Sequence, residues 1–276
     1  MIINGKQIAD NILSCIKSKI EKSDNKPKLA VILANDNPAS RVYVNSKKNA
    51  CANIGVESEV FELSDQDEIL SLIDKLNKDK KTNAILVQLP LYNNLDTKKI
   101  IEAIDPIKDV DGFHPLNLGR LLSGFNPYVI PCTPLGVIQI FDFYHIDLTS
   151  KKVLVIGRSN IVGKPLSVLL TSKNATVTLA HSKTNNLKEL SLASDIIISA
   201  AGHPNLITED MVQSGTMVID VGITKVEGKI KGDVDFENVK NKASYITPVP
   251  GGVGPMTIAC LMENTYKLFK VQNENK

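Results

Sequence analysis

Tyr43 and Lys47 stand four residues apart in PASRVYVNSK, a spacing that puts both side chains on one face of a helix. A lysine beside a tyrosine, partly withdrawn from water, can give and take protons near neutrality; the same pair is also a common half-buried contact. Gln88 closes the apolar run AILVQ, a polar side chain at the carboxyl end of a strand, where open α/β sheets bind ligands. It could face a ligand or simply cap the strand. Asp109 and Asp111 lie beside a turn glycine in DVDGF. They are either turn acids or carboxylates able to accept paired hydrogen bonds from an amidine-like heterocycle. Three glycines in PVPGGVGPMT (248–257) precede a helical pattern and allow a ligand close to the backbone, or form only a loop.

A second group of residues suits an anion. KVLVIGRSNIVGKPLSVLL (152–170) reads as a buried strand, a glycine turn and a helix start, whose free N–H groups and dipole attract phosphate. The strict GxGxxG pattern is missing: Gly157 supplies the turn, Gly163 close helix–strand packing, and Pro165 suits the first helical turn. An NAD site expects an acid about 20 residues past the first glycine, on the ribose hydroxyl. Here HSKT (181–184) follows the next strand, so Arg158, Ser182 and Lys183 are available for a 2′-phosphate. The pattern favours NADP.

These residues need a frame, and strand-like runs alternate with helical ones along the whole chain, as in an α/β protein with parallel sheets. Strands are expected at 29–33, 59–63, 84–89, 153–156, 176–180, 195–199 and 217–221. Helices are expected at 8–20, 40–54, 67–76, 100–104, 136–144, from 162, and 256–269. Residues 105–134, rich in Pro, Gly and Asn, read as irregular, of the kind that carries a binding loop or a domain crossing. Two lobes with a cleft between them are expected. The 276 residues include 32 Lys and Arg against 30 Asp and Glu, with the basic residues scattered, which gives no case for nucleic acid. No secretory signal is visible, and the uncharged window 121–141 is interrupted by Pro127, Pro131 and Pro134, so no membrane span is expected. Four widely spaced cysteines read as reduced thiols in a cytoplasmic protein, and the four histidines lack metal-ligand spacing.

Taken in order, NPASRVYVNSK, AILVQLPL, KDVDGFHPLNLGRL, PCTPLG, VIGRSNIVGKP, HSKT, DVGI and TPVPGGVGPMT resemble the bifunctional methylenetetrahydrofolate dehydrogenase/methenyltetrahydrofolate cyclohydrolases over nearly the whole chain. The resemblance implies an N-terminal α/β folate-binding catalytic domain (1–120 plus 255–276) and a Rossmann-like NADP-binding domain (121–254). It implies oxidation of 5,10-methylenetetrahydrofolate by NADP+, then hydrolysis of the methenyl cation to 10-formyltetrahydrofolate. Lys47 would be the acid/base, Gln88 its orienting partner, Tyr43 a wall of the folate site and Asp111 the ligand of the pterin amino edge. Leu89, Gly252, Gly254, Pro255 and Thr257 would line the folate pocket. Thr133, Gly157, Arg158, Ser159, Gly163, Ser182 and Ile223 would hold NADP. A homodimer acting on folates with or without polyglutamate tails is also implied. Asn35 and Tyr92 depart from the pattern in loops, where small effects on pocket shape are expected. The alternatives are a monofunctional dehydrogenase, another NAD(P) dehydrogenase acting on an amino or hydroxy acid, and a nucleotide-binding sensor without activity.

Overall fold

The computed structural model describes residues 1–274. The described residues divide into two compact units, one of residues 10–132 and 258–274, the other of 1–9 and 133–257. The first holds most of α1 (Gly5–Glu21), then β1 (Lys28–Leu33), α2 (Pro38–Ile54), β2 (Glu57–Glu62), α3 (Gln66–Lys78), β3 (Ala84–Gln88), α4 (Thr97–Glu102) and α5 (Pro115–Leu122). Its parallel sheet has the order β2-β1-β3. β1 is the middle strand and is buried on both faces, hence its unbroken apolar run LAVIL. Beyond β3, Ile85 N donates to Lys108 O (2.7 Å) and Val110 N to Ile85 O (3.4 Å), so 108–110 runs parallel along the sheet edge. Ile69, Ile73 and Leu76 of α3 are buried in the core that also takes in Ile32, Ile85 and Ile100. The α3 N-cap is Asp65, acids follow in the first turn, and Lys75 and Lys78 lie in the last.

In the second unit come α6 (Cys132–Phe143, all but its first residue), β4 (Lys152–Ile156), α7 (Gly163–Ser172), β5 (Thr176–Ala180), α8 (Leu187–Leu192), β6 (Ile196–Ser199) and β7 (Met217–Asp220). The hairpin β8 (Thr224–Val226) and β9 (Lys229–Lys231), α9 (Phe236–Val239) and the first residues of α10 (Val253–Glu274) follow. The four-stranded sheet is parallel, in the order β5-β4-β6-β7. Single bridges join Val218 to Ile246 and Ile246 to Ile2, and Ile3 N donates to Ile246 O at 2.8 Å. These bonds add the N-terminal residues to this sheet. Met1–Ala9 accordingly falls in the unit of 133–257, and the chain passes from the first unit to the second after residue 132.

Residues 105–134 are less irregular than the sequence suggests, because α5 lies within them. Its inward face is partly polar: Asn117, 1% exposed, donates to Pro106 O and Asp109 Oδ2 and accepts from Tyr128 N. α5 is only eight residues long and begins at Pro115 within a stretch rich in Pro, Gly and Asn, which masks its helical pattern. The β8–β9 hairpin has nearly no buried side chains to alternate, and its turn is made by Glu227 and Gly228, both at positive φ.

Candidate active site

α2 is fixed at both ends. Asn37 caps it by accepting from Ala39 N, Pro38 follows at the first helical position, and Gly55 ends it at φ 85° with its N–H donating to Cys51 O. Val44, Cys51 and Ile54 face the core, which leaves Tyr43 and Lys47 together on another face of the helix. Lys47 Nζ donates to Gln88 Oε1 at 2.9 Å, and Gln88 Nε2 donates to Leu89 O at 2.8 Å. The amide of Gln88 is thereby held with its oxygen toward the lysine. The pair stands at the carboxyl end of β3. Partial burial pushes the Tyr43 phenol above its ordinary value.

The two acids of DVDGF have different fates. Asp109, 2% exposed, accepts from Gly112 N, Phe113 N, His114 N and Asn117 Nδ2 at 2.8–3.3 Å, so it is a turn acid that shapes the loop. Asp111 is released from that duty. Burial pushes its carboxyl up to about 6, the positive charge of Lys47 opposes the rise, and the Asp109 carboxyl adds to it. Lys47, Gln88 and Asp111 thus come together beyond the ends of neighbouring strands.

Residues not expected from the sequence complete this cluster. Cys132 Sγ lies 3.9 Å from Asp111 Oδ1, and burial raises its thiol well above the ordinary range. Asn264, 2% exposed in α10, donates to Val110 O (3.0 Å) and Ile130 O (2.9 Å), tying the loop of Asp111 to that of Cys132. The only signal for it in the sequence is a polar residue inside the apolar stretch of a helix. Asn35 does more than a loop residue need: Nδ2 donates to Pro90 O (2.6 Å) while Oδ1 accepts from Asn37 N (2.9 Å). It links the loops after β1 and β3. Tyr92 N donates to Ala34 O at 2.8 Å, a second link between the same loops.

In the other unit the glycine turn is closely fitted. Gly157 has φ 119°, and a Cβ there would lie 2.3 Å from Ala200 O. A Cβ on Gly163 would lie 1.8 Å from Gly157 O, so the start of α7 packs directly on the turn. Ser159 Oγ accepts from Val162 N at 3.1 Å. Gly157 N donates to Ala180 O (2.9 Å), which sets the exposed Arg158 and Ser159 next to the exposed Ser182 and Lys183 at the ends of β4 and β5. Ile223, 44% exposed, follows β7, and Gly254 lies against it. Thr133 Oγ1 and Thr257 Oγ1 are 3.1 Å apart. Gly252, Gly254, Pro255 and Thr257 belong to this unit, whereas Tyr43, Lys47, Gln88, Leu89 and Asp111 belong to the other. A cavity of about 500 Å³ opens at the amino ends of β4, β6 and β7, and none of these residues lines it. Among the described residues no cluster of three or more His, Cys, Asp or Glu could hold a metal ion, and no helix is long and apolar enough to cross a membrane.

A four-stranded parallel sheet with a glycine turn and helix start at the carboxyl end of β4 defines an α/β dinucleotide-binding protein. Residues 131–273 match the tetrahydrofolate dehydrogenase/cyclohydrolase NAD(P)-binding domain, and residues 3–111 match the catalytic domain of the same enzymes. The chain belongs to the tetrahydrofolate dehydrogenase/cyclohydrolase family. It is 51% identical to the bifunctional protein FolD of Sulfurihydrogenibium sp. over 278 residues, covering 98% of each chain. The crystal structure of the bifunctional FolD methylenetetrahydrofolate dehydrogenase/cyclohydrolase from Campylobacter jejuni superposes with a TM-score of 0.95 at 48% identity, over 98% of this chain and 99% of that one. The Trypanosoma brucei FolD, crystallised with NADP cofactor and inhibitor, gives 0.94 at 35% identity, over 98% and 97%.

Proposed function

We propose that the chain oxidises 5,10-methylenetetrahydrofolate to the methenyl cation with NADP+ and hydrolyses that cation to 10-formyltetrahydrofolate. The observation that carries this reading is the Lys47–Gln88 hydrogen bond beside the Asp111 carboxyl, in a chain of this family. The glycine turn fits the tight strand-to-helix junction of a dinucleotide site, since neither Gly157 nor Gly163 has room for a Cβ. Arg158, Ser182 and Lys183, with no acid at the end of β5, suit the 2′-phosphate of NADP. When bound, NADP+ supplies the hydride acceptor. Asp111 accepts the amino and N–H edge of the pterin, fixing the folate in register with Lys47. Tyr43 forms a wall of the same site. Hydride transfer needs no base of its own, and alignment supplies most of the acceleration.

The hydrolytic step does need a proton carrier. The oxygen of water bonds to the methenyl carbon and becomes the formyl carbonyl, the bond from that carbon to N5 breaks, one of the water's two protons ends on N5, and the other leaves to solvent with the charge of the cation. The amine of Lys47 takes the proton from the water and returns it to N5, with Gln88 Oε1 fixing its direction. The same reading makes the protein a cytoplasmic homodimer that accepts reduced folates with or without polyglutamate tails. Its support is the family, the lack of a disulfide among the described cysteines and the prevalence of symmetric dimers. Purified protein given methylenetetrahydrofolate and NADP+ should reduce the cofactor, and added methenyltetrahydrofolate should disappear faster than in buffer. Lys47→Ala should lower methenyl loss by about 100-fold or more, the usual worth of a placed acid/base. Cofactor reduction without faster methenyl loss would leave a monofunctional dehydrogenase; no folate turnover would end the reading.

A further inference from the structure

A pair of buried acids, Asp220 and Asp233, stands outside the site described above. Asp233 is fully buried, and its carboxylate collects four donors from one loop. Oδ2 accepts from Ser199 Oγ (2.9 Å), Ala201 N (2.7 Å) and Gly202 N (3.2 Å), and Oδ1 from His203 N (2.8 Å). Asp220, at the end of β7, holds Asp233 in turn: Oδ1 accepts from Asp233 N (2.9 Å) and Gly222 N (3.1 Å), and Oδ2 from Val234 N (3.0 Å). The fit leaves no slack. A Cβ on Gly222 would lie 2.1 Å from Asp233 Oδ1, and one on Gly232 1.9 Å from Asp220 Oδ2.

The loop served by Asp233 follows β6, the neighbour of β4 on the side away from β5. The chain runs from β4 outward to β5 and returns to β6, so the strand order reverses between β4 and β6, the place where such sheets bind ligands. With the 2′-phosphate read at the end of β5, the nicotinamide riboside half falls over the ends of β6 and β7. Three consecutive amides of that loop point at Asp233 and are closed to any ligand. The carbonyls of Ser199, Gly202 and His203 accept from Val221 N, Thr224 Oγ1 and Leu206 N, and that of Ala200 packs on the glycine turn, so the carbonyl of the exposed Ala201 is the one the loop can offer to a carboxamide N–H2 or a ribose hydroxyl, and it would repel phosphate. Ala200 O also packs against the glycine turn, so a shift of the loop would move that wall too.

We propose that Asp233 is a positioning residue for the nicotinamide half of the cofactor, acting through the Ser199–His203 loop whose four donors it holds. The proposal rests on the reading of the site as an NADP-dependent dehydrogenase. Its test is Asp233→Asn, in which an amide N–H2 must face backbone donors. The expected result is a rise of about tenfold in KM for NADP+ and in the Kd of NADPH, with the affinity for adenosine 2′,5′-bisphosphate kept within about twofold. Methenyl hydrolysis, which takes no cofactor, is the internal reference for a folded enzyme. Equal weakening of NADPH and the bisphosphate, or no weakening of either, would overturn the proposal. Should Asp233→Asn fail to fold, Ser199→Ala removes one donor of the four and decides the matter: a smaller split in the same sense supports it, and no split overturns it. Wild-type protein that reduces no NADP+ would instead defeat the functional reading itself.

Discussion

At the scale of single residues, the chemistry turns on which acid is left without backbone partners. Asp109 and Asp111 are two positions apart, yet one carries four hydrogen bonds and the other has its nearest polar neighbours in Lys47 and Cys132. As a carboxylate, Asp111 can accept the pterin edge; once protonated it loses that capacity. Burial raises its carboxyl to about 6, so the ionised form is withdrawn as the pH falls through that value. Affinity for a non-reactive reduced-folate analogue should therefore weaken by about tenfold between pH 7.5 and pH 5, and Asp111→Asn should bind weakly at both. Titration calorimetry across that range would show it. A wild-type affinity that is flat from pH 5 to 7.5 would mean that Asp111 does not bind the substrate as an anion.

Among the elements, the strand ends do the placing and the turns do the fitting. β3 sets Gln88 at its carboxyl end, and the 108–110 segment pairs with Ile85 so that Asp111 runs on beside the same end. Lys108 helps to anchor that segment: its buried Nζ donates to Leu76 O and Asp79 O, both at 2.7 Å, and so closes α3. The corresponding element in the cofactor unit is the start of α7, which rests on the Gly157 turn through a position with no room for a side chain. Gly163→Ala would press a methyl group against the Gly157 carbonyl and force the helix off the turn. Overpacking of this kind costs about 1–3 kcal/mol. The expected outcome is a lower melting temperature and a higher KM for NADP+, with methenyl hydrolysis in the surviving folded protein near wild type. An unchanged KM for NADP+ would show that the turn is not a cofactor contact.

Taken as a whole molecule, each unit buries carboxyl groups, and this has a consequence for stability. Burial raises Asp220, which is 3% exposed, from its ordinary value to about 6, and Asp109 and Asp111 are raised as well. A folded-state value above the unfolded one means that the native protein keeps protons that the unfolded chain releases. The contribution of Asp220 and Asp111 is thus largest below about pH 4, falls as the pH climbs to about 6, and is level above that, and Asp109 acts in the same sense. For Asp220 alone the difference amounts to at most about 3 kcal/mol. Urea unfolding should give a higher midpoint near pH 5 than near pH 7.5, and Asp220→Asn should flatten that slope whatever its effect on absolute stability. A slope unchanged in the variant would remove Asp220 from the account.

The sequence by itself determined a good deal: the strand–helix alternation, the central apolar strands, the helical face shared by Tyr43 and Lys47, and the glycine turn at Gly157. All of these are local patterns, set by periodicity and backbone freedom over a few residues. It also carried the family, because eight short stretches in a fixed order are more specific than any one of them. Only the tertiary structure decided which acid of DVDGF is structural, because that depends on the amides of residues 112–114 and on Asn117 turning toward Asp109. The same holds for α5 with its polar buried face, for Met1–Ala9 joining the sheet through Ile246, and for Asp233 meeting a loop some 30 residues earlier in the chain. Partners distant in sequence leave no periodic trace, since a buried hydrogen bond constrains two side chains and nothing of what lies between them.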